Sequence, residues 1–346
     1  MKKVLFATTA LIATAGMAAA ELNISGYGRF GLSYDSGGPN AALEGTGGYP
    51  SNGNDRAVNG VSKTNIISRL RLQFDYSTVT DGGVELGGRM RAEADNGNNA
   101  PQVMLWSAPR FYATYGGFTV GVGNINGAFE NMAGTYLETR AVGAGLDGAQ
   151  FMSHVGNVNN EYFNWDYYDS DGNVTNGVEV MYSAGGFGGH ISYSTSNGAV
   201  AMDRIAANLS YTFGDWTVAL GHQSSDNAWE DKTAVSLSGD LGQFGVRVAY
   251  ADNEGIDKFG LYGNVELGAA SRLVAWVTSE DAVSAADVAA GRGDNRDNVA
   301  GSNGQEGTSY GINYSYDLGA GASFETGYRR GSQDNNTFQA GVVFSF

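Results

Sequence analysis

Residues 336–346, with the sequence NTFQAGVVFSF, alternate apolar and polar side chains up to a terminal phenylalanine. One face of an extended strand here carries Phe338, Ala340, Val342, Phe344 and Phe346. The opposite face carries Thr337, Gln339, Gly341 and Ser345. Because side chains on a strand alternate with a period of two, this pattern predicts a sheet with unlike surroundings on its two faces. Either a protein core or lipid can supply the apolar side, so the rest of the chain must decide between them.

The same alternation recurs along the chain after residue 20. It is visible in the segments 22–34, 66–77, 84–93, 205–213, 216–221, 233–239, 244–250, 259–267, 310–316 and 322–328. Their polar faces contain Arg, Asn, Glu and Ser, which a dry core tolerates only when every group is paired. We therefore expect water on that side of the sheet and lipid on the other.

The connections between these segments alternate between short turns and long polar stretches. The long stretches include residues 35–64, 124–176 and 279–306. This alternation is typical of an up-and-down barrel whose two rims face different compartments. Counting hairpins predicts an all-β, antiparallel transmembrane β-barrel of about sixteen strands, wide enough for an aqueous channel. At 110–115 and 272–278 either face could be the apolar one.

The N-terminal segment 1–20 has the pattern of a cleaved export signal. A short basic region is followed by an apolar stretch and by three alanines at 18–20. The pattern predicts cleavage before Glu21 and a single barrel domain over 21–346. No later run of about 18 apolar residues occurs, so a membrane would have to be crossed by strands. The absence of cysteine fits an exported protein that is stable without disulfides.

Composition narrows the class of protein further. The chain contains 53 Gly, 19 Tyr and 16 Phe but 4 Pro, and its mean hydropathy is −0.24. These values suit a strand-and-turn protein in which only alternate residues meet lipid. Residues 1–20 include two lysines and no acid, so the remainder has 18 basic and 36 acidic residues, a net charge of −18. Such a charge argues against nucleic-acid binding, and the acids form either a solvated surface or sites that attract cations.

Four segments carry a resemblance to a known family. They are ELNISGYGRFGLSYD at 21–35, SRLRLQFDYS at 68–77, RFYATYGGFTVGVGN at 110–124 and FQAGVVFSF at 338–346. Together they resemble the general-diffusion porins of the Gram-negative outer membrane, in particular the alphaproteobacterial porins of the Rhodobacter type. The resemblance implies a third loop that folds into the barrel and narrows it. The PEFGG motif of enteric porins is absent from that loop, so the resemblance does not define the shape of the constriction.

The resemblance also implies partners. It implies contact with outer-membrane lipid and lipopolysaccharide, and a homotrimer in which the small outward residues Gly26 and Gly28 would allow close subunit packing. It further implies that Phe346 is the signal by which the outer-membrane assembly machinery recognises the chain.

Five arginines are the most distinctive candidate site residues. Counted from the short-turn end of each strand at about 3.3 Å per residue, they fall at similar heights on the polar face: Arg29, Arg69, Arg71, Arg89 and Arg91. We interpret them as a basic patch on a pore wall, although a general polar lining of a wet lumen would look similar. Like charges on adjacent strands cost free energy unless acids or water compensate. Because the resemblance places the third loop inside the barrel, we expect three of its residues to form the acidic side of a constriction: Glu130, Glu138 and Asp147.

Two further groups of residues are candidates for metal or catalytic sites. Asp169-x-Asp171-Gly172 has its glycine too early for an EF-hand loop and leaves a loose calcium site open. Apart from structural calcium at acidic loops, we expect no cofactor. The three histidines have no metal-ligand spacing, and no nucleophile or acid–base set can be assembled, so we expect no enzymatic activity.

Two functions from different classes fit these observations. The first is a passive channel for ions and small hydrophilic solutes, and the alternative is a solute-specific channel or an adhesin that uses the long loops 35–64 and 279–306. The lumen aromatics Tyr27, Tyr262 and Trp276 are too few to indicate a sugar-specific pore. Charges act over only about 8 Å at physiological salt. We therefore expect arginines and loop acids nearly to cancel, leaving a weakly cation-selective channel.

Overall fold

One closed antiparallel sheet makes up nearly all of the described chain. The structure is a computed structural model. It describes residues 20–36, 64–97, 100–101, 103–136, 163–172, 176–197, 201–293, 306–332 and 336–346. The first nine strands are β1 (Glu21–Asp35), β2 (Thr64–Val79), β3 (Glu85–Gly97), β4 (Ala100–Pro101), β5 (Leu105–Trp106), β6 (Arg110–Tyr115), β7 (Phe118–Gly123), β8 (Asn176–Ala184) and β9 (Phe187–Asn197). The others are β10 (Ala201–Phe213), β11 (Trp216–Ser225), β12 (Lys232–Leu241), β13 (Phe244–Asn253), β14 (Ile256–Glu266), β15 (Ser271–Glu280), β16 (Gly307–Gly319), β17 (Ala322–Arg330) and β18 (Asn336–Ser345).

The sheet is a sixteen-stranded barrel, as the hairpin pattern predicts. Each strand pairs antiparallel with its neighbours, and β1 pairs with both β2 and β18, which closes the ring. The two-residue strands β4 and β5 pair with the end of β3, and β6 pairs with its beginning, so the three together make one barrel strand. The turn at Gly116 and Gly117 has positive φ at both residues, 58° and 85°, as a two-residue hairpin turn of type I′ requires.

Apolar side chains cover the outside of the barrel. In β12, for example, Thr233, Val235 and Leu237 are exposed, whereas Ala234 and Ser236 face inward and are buried. Large outward residues remain widely exposed throughout, as in Ile66, Leu209 and Phe187 at 73%, 62% and 60%. An apolar surface of this extent is expected where the surrounding medium is lipid.

The two segments with ambiguous faces follow the same rule. In β6, Phe111 and Tyr115 point outward and Arg110 is buried. In β15, Val277 is exposed while Trp276 faces inward. The polar lumen therefore contains some large aromatic side chains as well as charges, which is why alternation alone left these segments open.

Aromatic rings form a belt beside the short turns. Phe118 and Tyr182 have ring centroids 4.4 Å apart, and Phe187 and Tyr211 have centroids 4.7 Å apart. All four side chains face outward next to the turns that join β6 to β7, β8 to β9 and β10 to β11. Such belts are typical of the level where lipid headgroups meet water. No helix in the described ranges has the length and apolar character needed to cross a membrane.

Two glycines lie where β1 meets the C-terminal end of the chain and the barrel closes. Gly26 and Phe346 exchange two backbone hydrogen bonds, with N···O distances of 2.9 and 3.0 Å. A Cβ atom on Gly28 would lie 2.4 Å from the ring of Phe344, and one on Gly26 would lie 2.9 Å from the ring of Phe346. The glycines thus accommodate the aromatic rings of Phe344 on β18 and of Phe346 directly after it. Their small size is accounted for within one chain, so it no longer supports the prediction of a subunit contact.

Candidate functional site

The strand register brings the five predicted arginines onto adjoining rows of the inner wall. Arg29 lies directly opposite Arg69, and Arg71 lies one inward row further towards the short turns. On β3, Arg91 lies opposite Gln73 and Arg89 opposite Asp75. We call these arginines, Arg29, Arg69, Arg71, Arg89 and Arg91, the basic wall.

Among the described residues, two acids that pair with the basic wall belong to the wall itself. Glu93 forms ion pairs with Arg71 and with Arg69, the latter at 3.4 Å. Asp75 pairs with Arg89 at 2.6 Å. Sequence reasoning assigned this role to the third loop and missed both acids, although each lies opposite an arginine in the β2–β3 hairpin. Cross-strand pairs of opposite charge offset the repulsion between neighbouring arginines.

The described parts of the third loop lie inside the barrel. Its described parts are an outgoing limb, 124–136, and a return limb, 163–172. The return limb reaches the basic wall at Arg91, whose guanidinium donates to Ser170 Oγ at 3.1 Å and lies 4.6 Å from the ring centre of Tyr168. The Tyr168 hydroxyl also donates to the backbone oxygen of Arg89 at 3.2 Å. Neutral loop groups therefore contact the basic wall directly.

Both limbs pack against the opposite part of the wall through an aromatic cluster. Phe129, Phe163 and Trp165 are buried, with ring centroids between 5.5 and 6.0 Å apart. Beneath them lie four inward-facing residues of β10–β13, which we call the alanine floor: Ala206, Ala219, Ala234 and Ala251. Burying each large apolar side chain stabilises the docked loop by about 1.5–3 kcal/mol.

The predicted loop acids have different surroundings. Glu130 accepts hydrogen bonds from the Tyr136 hydroxyl and the Trp165 indole, and burial raises its pKa to about 7. It therefore joins the two limbs, and it is not an ion-pair partner of the basic wall. Glu138 and Asp147 lie outside the described residues. Whether these acids line a constriction stays a prediction.

Asp169 and Asp171 lie on either side of Ser170 at the basic wall. The backbone N–H of Asp171 donates to Asp169 Oδ1 at 3.3 Å, and that of Asp169 donates to the Asn124 side chain at 3.0 Å. Within the described ranges, no group of three or more His, Asp or Glu side chains is arranged to hold a metal ion. Calcium binding here stays a prediction.

Comparison with known proteins identifies the class of this barrel. Residues 7–336 match the family of Gram-negative porins. The chain belongs to the Gram-negative porin family. The porin is 27% identical over 343 residues to the porin of Fuscovulum blasticum, covering 94% of this chain and 100% of that protein. It is also 27% identical over 310 residues to the porin of Rhodobacter capsulatus, covering 82% of this chain and 94% of that one.

A solved structure supports the same assignment. A triple mutant of Rhodopseudomonas blastica porin superimposes with a TM-score of 0.69 at 25% identity, covering 94% of this chain and 100% of that chain. The porin is thus an outer-membrane β-barrel and a general diffusion channel, as the sequence resemblance implied.

The porin also contains charged residues that sequence reasoning did not select. Arg204 pairs with Glu230 at 2.6 Å and with Asp166 of the return limb at 3.2 Å. Lys258 pairs with Glu280, and its Nζ lies 4.8 Å from the ring centre of Phe163. These groups hold the return limb from the side opposite the basic wall. They lie outside the alternating segments found in the sequence, and alternation carries no information about contacts with a nonperiodic loop.

Proposed function

We propose that this porin is a passive, water-filled channel whose narrowest part lies between the basic wall and the third loop. One observation carries the proposal: the return limb lies inside the barrel and contacts Arg91 through Ser170 and Tyr168. A solute at this level would meet arginine side chains on one side and loop residues on the other. Ions and small hydrophilic solutes would cross by diffusion.

We further propose that the channel is weakly cation-selective. Near the contact with the return limb, the arginines of the basic wall face four described carboxylates, those of Asp75, Glu93, Asp169 and Asp171. Similar numbers of opposed charges create a local field with a small net charge. The acidic excess of residues 21–346, which have 18 basic and 36 acidic residues and a net charge of −18, then raises the cation concentration at the pore mouths.

Recording in planar bilayers and sugar uptake by liposomes test this proposal together. We expect ohmic single-channel steps, a small reversal potential of cationic sign in a salt gradient, and uptake rates that fall smoothly with sugar size. Saturable uptake of one solute, or block of the current by it, would instead support the solute-specific alternative. An absence of conductance steps would contradict any channel function.

We also propose that the porin is a homotrimer in contact with lipid and lipopolysaccharide, since this is typical of its family. Electrophoresis without heating should give a band near three times the monomer mass that collapses on boiling. A monomeric band in mild detergent would contradict the trimer.

We propose that Phe346 acts as a signal for the outer-membrane assembly machinery in addition to closing the barrel. On the lipid side, Arg or Lys costs up to about 2–4 kcal/mol at the membrane centre, Asp costs less, and the cost of any charge is small near the membrane surface. Phe346→Asp should therefore lower the outer-membrane level far more than Phe187→Asp, which places the same charge beside another short turn. Equal levels of the two variants would reject the signal.

A further inference from the structure

A single buried carboxylate lies under the root of the third loop. Glu179 on β8 is 1% exposed, and one of its oxygens accepts a hydrogen bond from Arg110 Nε at 2.6 Å. The other oxygen accepts from the backbone N–H groups of Asn126 and Gly127, at 2.9 and 3.3 Å, and lies 3.0 Å from His190 Nε2. A carboxylate has about four acceptor sites, so these contacts use most of its capacity.

The chain turns from the wall into the lumen at this point. β7 ends at Gly123, and Gly127 has a φ of 77°. A Cβ atom on Gly127 would lie 1.7 Å from the backbone oxygen of Asp166, so the two limbs of the loop touch here through their backbones. The position of Gly127 therefore determines where the outgoing limb leaves the wall and where it meets the return limb.

Asn124 makes a second connection at the same level. Its side-chain amide donates to the backbone oxygens of Ala108 and Asp169, at 3.1 and 2.8 Å. The Asn124 side chain thus joins the outgoing limb to the return limb and to the segment before β6. The hydrogen bonds of Asn124 involve no charged group. Glu179, by contrast, connects the loop backbone to the buried Arg110 through charge-assisted hydrogen bonds, which are stronger than neutral ones.

We propose that Glu179 is a positioning residue that holds the root of the third loop against the wall and thereby sets the width of the pore. This inference rests on the proposed function, in which the third loop narrows the channel. The aromatic cluster on the alanine floor lies further along the loop and does not involve Glu179. Loss of the Glu179 contacts would consequently loosen the root while the loop stays inside the barrel.

The primary test compares Glu179→Gln with Glu325→Gln. Glu325 is also an inward, buried wall carboxylate, but it accepts hydrogen bonds from Ser315 and Ser323 on β16 and β17 and has no described contact with the third loop. In liposomes, Glu179→Gln should raise uptake of a trisaccharide relative to a monosaccharide severalfold and add noise to the open-channel current. Glu325→Gln should match the wild type in both. The heat-induced mobility shift on electrophoresis should be the same for all three proteins.

A reversible cross-link separates positioning from general damage to the fold. The backbone N–H of Ala128 donates to Ser192 Oγ at 2.9 Å, and the natural chain has no cysteine. Ala128→Cys with Ser192→Cys, added to Glu179→Gln and oxidised, should restore the wild-type ratio of uptake rates, and a reductant should abolish the restoration. If Glu179→Gln does not accumulate, Glu179→Asp keeps the charge with a shorter reach and should show the same change to a smaller extent.

The outcomes distinguish this inference from the proposed function beneath it. A wild-type protein that admits both sugars equally would overturn the narrowing by the third loop. A wild-type protein that discriminates, together with Glu179→Gln and Glu179→Asp that discriminate equally well, would overturn only the role of Glu179. A cross-link that forms without restoring discrimination would do the same.

Discussion

The basic wall and the alanine floor are parts of one inner surface, built from opposite kinds of side chain. On β1–β3 the wall carries long arginines that pair with Asp75 and Glu93 and remain partly in contact with the lumen. On β10–β13 it carries alanines that are covered by Phe129, Phe163 and Trp165. Small apolar residues leave room for a loop and make desolvation inexpensive, whereas paired charges favour water. In this barrel the aromatic part of the loop thus packs where inward residues are small and apolar, while Arg204 on the same side of the barrel pairs with Asp166 of the return limb.

Disruption of the floor contact should have the largest effect. Phe129→Ala removes a fully buried ring, and such changes cost about 3–5 kcal/mol, here from the docking of the third loop. We expect both limbs to become sensitive to added protease and the current to become noisy. Phe187→Ala, which removes a lipid-facing ring, serves as the control and should leave the loop protected. A protected third loop in Phe129→Ala would contradict the role of the floor.

Removal of charge from the basic wall should have the next largest effect. Arg69→Ser with Arg71→Ser leaves Glu93 without its ion-pair partners and should shift the reversal potential towards cations. One charge about 8 Å from a permeating ion in water contributes roughly 0.5 kcal/mol, or about a twofold change in the permeability ratio per charge. Conductance should rise as well. Arg272→Ser, near the short-turn rim, is the matched control, and equal shifts in both proteins would remove the basic wall from the constriction.

The reciprocal change on the same wall should be smaller and of opposite sign. Glu93→Gln removes one charge and leaves Arg69 and Arg71 in excess. The reversal potential should move towards anions by about half the effect of the double arginine variant, since one charge is changed instead of two. Glu266→Gln, an exposed acid at the rim, should leave it unchanged. A shift towards cations would be inconsistent with the ion pairs of Glu93.

Titration of Glu130 in the third loop should have the smallest effect on ion selectivity. Burial raises the pKa of Glu130 to about 7, while Tyr136, Trp165 and Arg91 act in the opposite direction. As the pH falls through about 7, the carboxylate becomes neutral and selectivity should shift slightly towards anions. The pKa of Glu130 in the docked loop lies above its ordinary value of 4.5, so docking favours the protonated carboxyl. The docked loop is therefore most stable below pH 4.5 and loses stability as the pH rises from 4.5 to about 7. Glu130→Gln should remove the step from a titration of reversal potential against pH.

The sequence predicts the barrel and its basic wall better than it predicts the contacts of the third loop. Period-two alternation and the short turns predict the barrel, and counting from the turns brings Arg69, Arg71, Arg89 and Arg91 to neighbouring rows. The same count pairs Asp75 with Arg89, so the acids of the wall could have been found from the hairpin register. The contacts of Glu130 could not have been found from the sequence, because Trp165 is 35 residues away along a loop with no periodicity. The surroundings of Gly26 and Gly28 could not be predicted either, because nothing local indicates that the rings of Phe344 and Phe346, over 300 residues away, cover them.

The hydrogen bonds between Gly26 and Phe346 join the first strand of the barrel to its final residue. A barrel in which β18 is absent or undocked therefore has two sheet edges with unpaired backbone groups, at β1 and β17, and such edges associate readily with other strands. Pairing of β18 with β1 removes both edges at once. The last strand thus protects the sheet from edge-to-edge aggregation as well as closing the wall of the channel.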